Sequence, residues 1–203
     1  MLNVTVKLLR NPWEHTIPTS MLKMLLTKLA RERADDIELR FERDEYEVEE
    51  GFDNISFGLV VMDPTCPPSV PSTEAVLAII EIGDRGLDLV FNGLDKACVQ
   101  RDFGVNGGQL IFGGASFVVP DGGFRWGHGA QVGRLIGGGS GLDQEQDRYQ
   151  TTLFLAGLEL ELCTARKEWE ETHPRGSHDS LSWFCEENQP HEAYAAVLNR
   201  EPI

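Results

Sequence analysis

Basic residues are scarce in this chain: 18 lysines and arginines stand against 33 aspartates and glutamates in 203 residues, a formal net charge of −15. A domain that holds nucleic acid by neutralising phosphates carries the opposite balance, so direct nucleic-acid binding is set aside. Long apolar runs are missing as well. The longest, Val76 to Ile82, is broken by Glu81 and stops at Gly83, well short of the roughly 20 apolar residues that span a bilayer. No basic stretch, apolar core and small-residue cleavage site open the chain, so neither a secretory leader nor a membrane is expected. Only four cysteines occur, Cys66, Cys98, Cys163 and Cys185, and they are widely spaced. A chain of this length builds a core without disulfides, so reduced thiols and a cytoplasmic location are expected. Gly-x-Ser-x-Gly is absent, and Ser177-His178-Asp179 cannot serve as a triad because adjacent side chains diverge.

What is present is ordinary for a folded domain: 41% hydrophobic and 25% charged residues. At about 150 residues per domain, residues 1–203 read as a single α+β domain. Residues 2–9 alternate, with Leu2, Val4, Val6 and Leu8 on one face of a strand. Leu22, Leu25, Leu26 and Leu29 then recur at helical spacing behind a Thr19 or Ser20 cap, predicting a helix that ends near Arg33. Ile37–Glu42 and Phe57–Met62 read as strands. Four prolines in Asp63–Pro71 forbid regular structure and predict an exposed connection at 63–71.

From Val76 onward the turn signals predict a large, mostly antiparallel sheet, laid out as a meander. Val76–Ile82 and Leu87–Phe91 flank Gly83–Gly86, Asn92-Gly93 suits a type I′ hairpin, and Leu158, Leu160 and Leu162 alternate in a last strand behind a bulge at Gly157. Short C-terminal helices are expected at Thr164–Thr172 and after Asn188.

The acidic residues cluster. Between Arg31 and Asp53 there are eleven acids and four bases, and between Glu159 and Glu192 nine acids and three bases. A solvated face is the plain explanation; steering of a basic protein partner is the functional one. Asp44, Glu45, Tyr46, Glu47, Glu49 and Glu50 are the candidate partner-binding residues, with Tyr46, Phe52 and the Trp183-Phe184 pair as candidate aromatic anchors. The leading expectation is therefore a non-catalytic, inhibitor- or immunity-type domain that occludes a basic partner's surface, with no cofactor.

The alternative is an enzyme handling a small molecule or nucleotide under glycine-rich loops at 120–145. Residues 104–141 hold 14 of the 21 glycines, and Gly137–Gly141 reads as a flexible loop or linker. Asp121, His128, Asp143 and Glu145 would serve such a site, although turn and cap roles explain the acids equally well. No P-loop lysine follows the glycines, and Leu142–Asp147 brings three acids where a phosphate would sit. Gly137-Gly138-Gly139 followed by Gln144-Glu145 resembles the signature loop of poly(ADP-ribose) glycohydrolases, in which a glycine triplet precedes a glutamine and two adjacent glutamates. The resemblance implies ADP-ribose chemistry but covers about ten residues with a shorter spacer, and Gln146 stands where that family has its general acid, so it is set aside.

His173, His178, Cys185 and His191 offer zinc-compatible donors at spacings that match no familiar zinc pattern, and no metal is assigned. A structural subunit, exposing an apolar patch near Trp13 or Trp126, is the third reading.

Overall fold

A computed structural model of the chain describes residues 1–46, 55–103 and 129–173. Among these residues the elements run β1 (Val4–Leu8), α1 (Thr19–Glu42), β2 (Phe57–Met62), a 3₁₀ turn (Ser72–Glu74), β3 (Val76–Ile82), α2 (Gly86–Phe103), β4 (Gly129–Val132), β5 (Leu135–Ser140) and α3 (Gln144–Thr172). The chain divides into two units, Met1–Ala165 and Arg166–Ile203, the second described only as far as His173. There Arg166 pairs with Glu170 across one helical turn, and Trp169 stacks on His173 with ring centroids 4.4 Å apart.

The α+β class with an antiparallel sheet, an N-terminal helix and a C-terminal helix is as the sequence indicates. The strand order is β1-β3-β2-β5-β4, with every neighbouring pair antiparallel. It departs from a simple meander, because β1 lies beside β3 and β2 lies beside β5. Strands β2 and β3 occupy the bounds their apolar runs indicate.

Three expected strands are helical instead. Ile37–Glu42 is the end of α1, because the buried stripe Leu22, Leu26, Leu29, Ala30, Ala34 and Ile37 keeps helical period past the acidic pair. Asp36 does not stop this helix; it binds Arg40 one turn on, Nε to Oδ2 at 3.0 Å. Leu87–Phe91 opens α2, where Leu89, Val90, Gly93, Lys96 and Ala97 form the buried face, so Asn92-Gly93 makes no hairpin. Leu158–Leu162 lies inside α3: Leu158 is buried, Leu160 is 68% exposed, and no bulge occurs at Gly157. In each case a short run compatible with period 2 sits within a longer run of period 3.6, and the longer run buries more surface. The expected short C-terminal helix at 164–172 is the end of this same long helix.

Every residue of β2 is buried, since helices cover both faces of the sheet. Phe57, Leu59 and Val61 join Leu26, Ile37, Phe154, Leu155 and Leu158 from α1 and α3. Val60 and Met62 join Val76, Val90 and Ala97 on the face covered by α2. Trp13, one of two tryptophans around which an exposed apolar patch is expected in the third reading, packs against the larger cluster.

The glycine string is not a mobile loop. Gly137–Ser140 is an interior strand that pairs with β2 through Val61↔Gly137 and Gly58↔Ser140. Its glycines let helices reach the sheet backbone. A Cβ on Gly138 would sit 2.1 Å from the Gly93 carbonyl oxygen and 2.7 Å from the Ala97 nitrogen, both on α2. A Cβ on Gly139 would sit 2.3 Å from the Phe57 ring. Gly93 answers Gly138, since its own Cβ would meet the Gly138 oxygen at 2.7 Å. Gly138→Ala is therefore expected to destabilise the protein at or above the upper end of the ~1–3 kcal/mol typical of overpacking. The check is the urea midpoint, and an unchanged midpoint would show that α2 can retreat freely.

Candidate functional site

Three groupings of polar side chains stand out, and the first is wholly internal. Lys96 of α2 and Asp147 of α3 form an ion pair at 2.7 Å with side chains 0% and 1% exposed. The Lys96 ammonium also donates to the Gly139 carbonyl at 2.7 Å, and the Asp147 carboxylate accepts the Leu142 N–H at 2.9 Å. Asp147 lies in the first turn of α3, where the helix dipole favours a negative charge. The pair thus joins helices on opposite faces of the sheet through a strand carbonyl. Nothing in the local sequence announces it, but once α2 is read as a helix, a lysine on its buried stripe demands a carboxylate partner.

The second grouping holds the described part of the acidic segment. Arg40 donates to Asp36, to Glu45 at 3.0 Å and to the Tyr149 hydroxyl at 3.2 Å, and its guanidinium lies 5.6 Å and 5.0 Å from the Tyr46 and Tyr149 ring centroids. The Gln150 amide, fully buried, donates to Asp36 at 2.7 Å and to the Tyr46 hydroxyl at 2.9 Å. Tyr46 is 5% exposed, and burial pushes its phenol up. It is a core residue, which corrects the expectation of an exposed aromatic anchor. Asp44 is exposed with φ 56° at the turn, and Glu45 is exposed but held by Arg40. Glu47, Glu49, Glu50 and Phe52 lie outside the described residues. Alongside, Leu39 and Phe41 are 42% and 40% exposed.

The third grouping is a cleft of about 250 Å³ lined by Met62, Asp63, Pro64, Cys66, Pro68, Arg101, Asp102, Arg134 and Ile136. The proline-rich segment forms one wall and is not simply an exposed connection. Arg101, on the last turn of α2, donates to the carbonyls of Pro67 and Val70 and to the Ser72 hydroxyl, all at 2.7–2.9 Å. Asp63 is 5% exposed and accepts from the Thr65 N–H and hydroxyl at 2.8 and 2.7 Å. Cys66 donates to Asp63, and Arg10 donates to the Cys66 sulfur at 3.1 Å. Burial and that bond to Asp63 push the Cys66 thiol up, so it is held as a thiol and not as a nucleophilic thiolate.

Of the residues expected under the glycine loops, Asp143 and Glu145 lie within the described residues. Asp143 caps α3, its Oδ1 accepting from the N–H groups of Glu145 and Gln146 at 2.9 and 3.0 Å. Glu145 is exposed in the first turn, and Asp121 and His128 lie outside the described residues. His173 is engaged with Trp169 and Thr172, while His178, Cys185 and His191 are likewise outside. Among the described residues no three His, Cys, Asp or Glu side chains gather as a metal site. Among the same residues no helix is long and apolar enough to cross a membrane. Comparison with protein-family profiles, curated proteins and solved structures yields no match to this chain.

Lys96→Met is expected to cost about 3–5 kcal/mol, because it strands the Asp147 charge in the interior. Lys96→Met/Asp147→Leu should recover much of that loss; a double variant as unstable as the single one in denaturant unfolding would contradict this account. Burial, with Asp102 and Asp95 nearby, pushes the Cys98 thiol up to about 11. At pH 8 only roughly one part in a thousand is thiolate. Iodoacetamide should therefore label the exposed Cys163 at least tenfold faster than Cys98, as read by peptide mass spectrometry.

Proposed function

We propose that this chain is a non-catalytic protein-binding domain that docks a basic partner on the C-terminal half of α1 and the turn after it. One observation carries the reading. Glu32, Asp35, Leu39 and Glu42 recur at i, i+3, i+7 and i+10 on one helical stripe, Asp44 follows in the turn after it, and all five are exposed. The side chains of Glu32, Asp35, Glu42 and Asp44 make no hydrogen bond or ion pair among the described residues, so their charge is directed at solvent. Leu39 supplies the apolar contact that such a charged rim surrounds.

The surface is braced from behind. Arg40 and Gln150 fix Asp36, Tyr46 and Tyr149, so the exposed acids stand on an ordered helix and need little further ordering on contact. Carboxylates on an ordered helix raise the encounter rate with a basic surface, and Leu39 takes the apolar role first expected of Tyr46. Glu47, Glu49 and Glu50 extend the acidic sequence directly beyond the turn. A partner whose basic surface binds phosphates would be occluded by these carboxylates, as an inhibitor or immunity-type protein requires. The enzymatic alternative draws less support, because Asp143 is spent on a helix cap and Cys66 is held as a thiol.

The experiment is native mass spectrometry of the protein purified at low salt from its own host. A co-purifying basic protein, released as salt rises, is expected. The variant Glu32→Lys/Asp35→Lys/Glu42→Lys should retain it at least tenfold less, and Glu168→Lys/Glu171→Lys, at exposed acids of the second unit, should retain it as the parent does. Equal loss in both variants, or no loss in either, would sink the assignment to α1.

A further inference from the structure

The geometry points to a second binding site: the cleft between the end of α2, the β5 strand and the proline-rich wall takes a free apolar α-amino acid. The argument starts from which charges in the cleft are already used. Arg101 directs three of its five N–H donors at Pro67, Val70 and Ser72, and Asp63 spends its oxygens on Thr65 and Cys66. Both charges are committed to holding the wall in place. Two charged side chains of the lining are not so committed. Arg134 is exposed and makes no hydrogen bond or ion pair among the described residues. Asp102 accepts one bond from Ser72 at Oδ1, lies 3.9 Å from Arg101, and keeps its side chain 52% exposed with its other oxygen open.

One open guanidinium and one open carboxylate in a single cleft call for a ligand with both an anionic and a cationic group. The lining as a whole carries two arginines and two aspartates, a balance of zero within a chain of net charge −15. A phosphate ester or dicarboxylate would meet both aspartates and the field of the whole protein, whereas a zwitterion meets neither penalty. Met62, Ile136, Pro64 and Pro68 supply the apolar remainder of the lining. They fit a hydrocarbon side chain, while the carboxylate lies on Arg134 and the ammonium on Asp102.

The volume sets the size. About 250 Å³ falls below the roughly 300–1,000 Å³ of sites for drug-sized molecules and accommodates a single amino acid. The wall is also preformed: prolines at 64, 67, 68 and 71 and the three Arg101 bonds order it before any ligand arrives. This site is separate from the acidic stripe of α1 and does not depend on a protein partner.

The test is calorimetric and ¹⁵N-NMR titration of the full chain with L-leucine, L-phenylalanine, N-acetyl-L-leucine and L-leucinamide. Saturable one-to-one binding of leucine or phenylalanine is expected, weakened at least tenfold by either capping group. Arg134→Gln removes no internal bond and should weaken binding at least tenfold with the unfolding midpoint unchanged. Asp102→Asn keeps an acceptor for Ser72 and should do the same; should it unfold, Arg134→Gln carries the test alone. Absence of saturable binding at millimolar concentration overturns the proposal. So does binding that the capped compounds match, or that Arg134→Gln leaves intact.

Discussion

The ammonium of Lys96 is the point through which the layers of this fold are joined. It belongs to a helix on one face of the sheet, bonds the carbonyl of Gly139 in β5, and neutralises Asp147 at the start of a helix on the other face. The backbones must come close for so short a reach to suffice. Gly93, Gly138 and Gly139 provide that closeness, because side chains there would overlap the helix, the strand or Phe57. Charge and glycine therefore form one device. Without the glycines the lysine would not reach its partners, and without the aspartate the lysine would be an uncompensated charge in the core.

Both candidate binding surfaces inherit their order from polar braces of the same kind. Gln150, buried on α3, holds Asp36 and Tyr46 and so sets the end of α1 from which the acidic stripe looks outward. Arg101, on the last turn of α2, clamps two carbonyls and a hydroxyl of the proline-rich wall. In each case a long side chain on a packed helix immobilises an irregular segment. Glu32 and Asp35 are presented on helix α1, while Arg134 stands on the β4–β5 turn across the cleft from the wall that Arg101 holds.

Much of the architecture was legible in the residues. Alternation marked β1, apolar runs marked β2 and β3, and the leucine stripe marked the first half of α1. The misread segments share one cause. Ile37–Phe41, Leu87–Phe91 and Leu158–Leu162 each satisfy period 2 over about five residues while also fitting period 3.6 over a longer window. Only the sheet and helices around them decide which face is buried, and Leu39, Phe41, Phe91 and Leu160 end up exposed as a result. Of the candidate site, the acid-rich segment was visible as charge. The inward turn of Tyr46 was not, since it depends on Gln150 more than a hundred positions away. The cleft was invisible for the same reason: its lining comes from β2, the proline-rich segment, the end of α2 and the β4–β5 hairpin.

Composition and periodicity alone determined that this chain is acidic, of the α+β class and without a long apolar run, because those properties are sums over residues or patterns within one element. Tertiary structure alone decided that the glycine string is a buried strand, that Lys96 and Asp147 neutralise each other, and that Arg134 and Asp102 share a cleft. Each of these is a pairing between elements distant in sequence. Its free energy depends on distance and desolvation, which a linear order of residues does not contain.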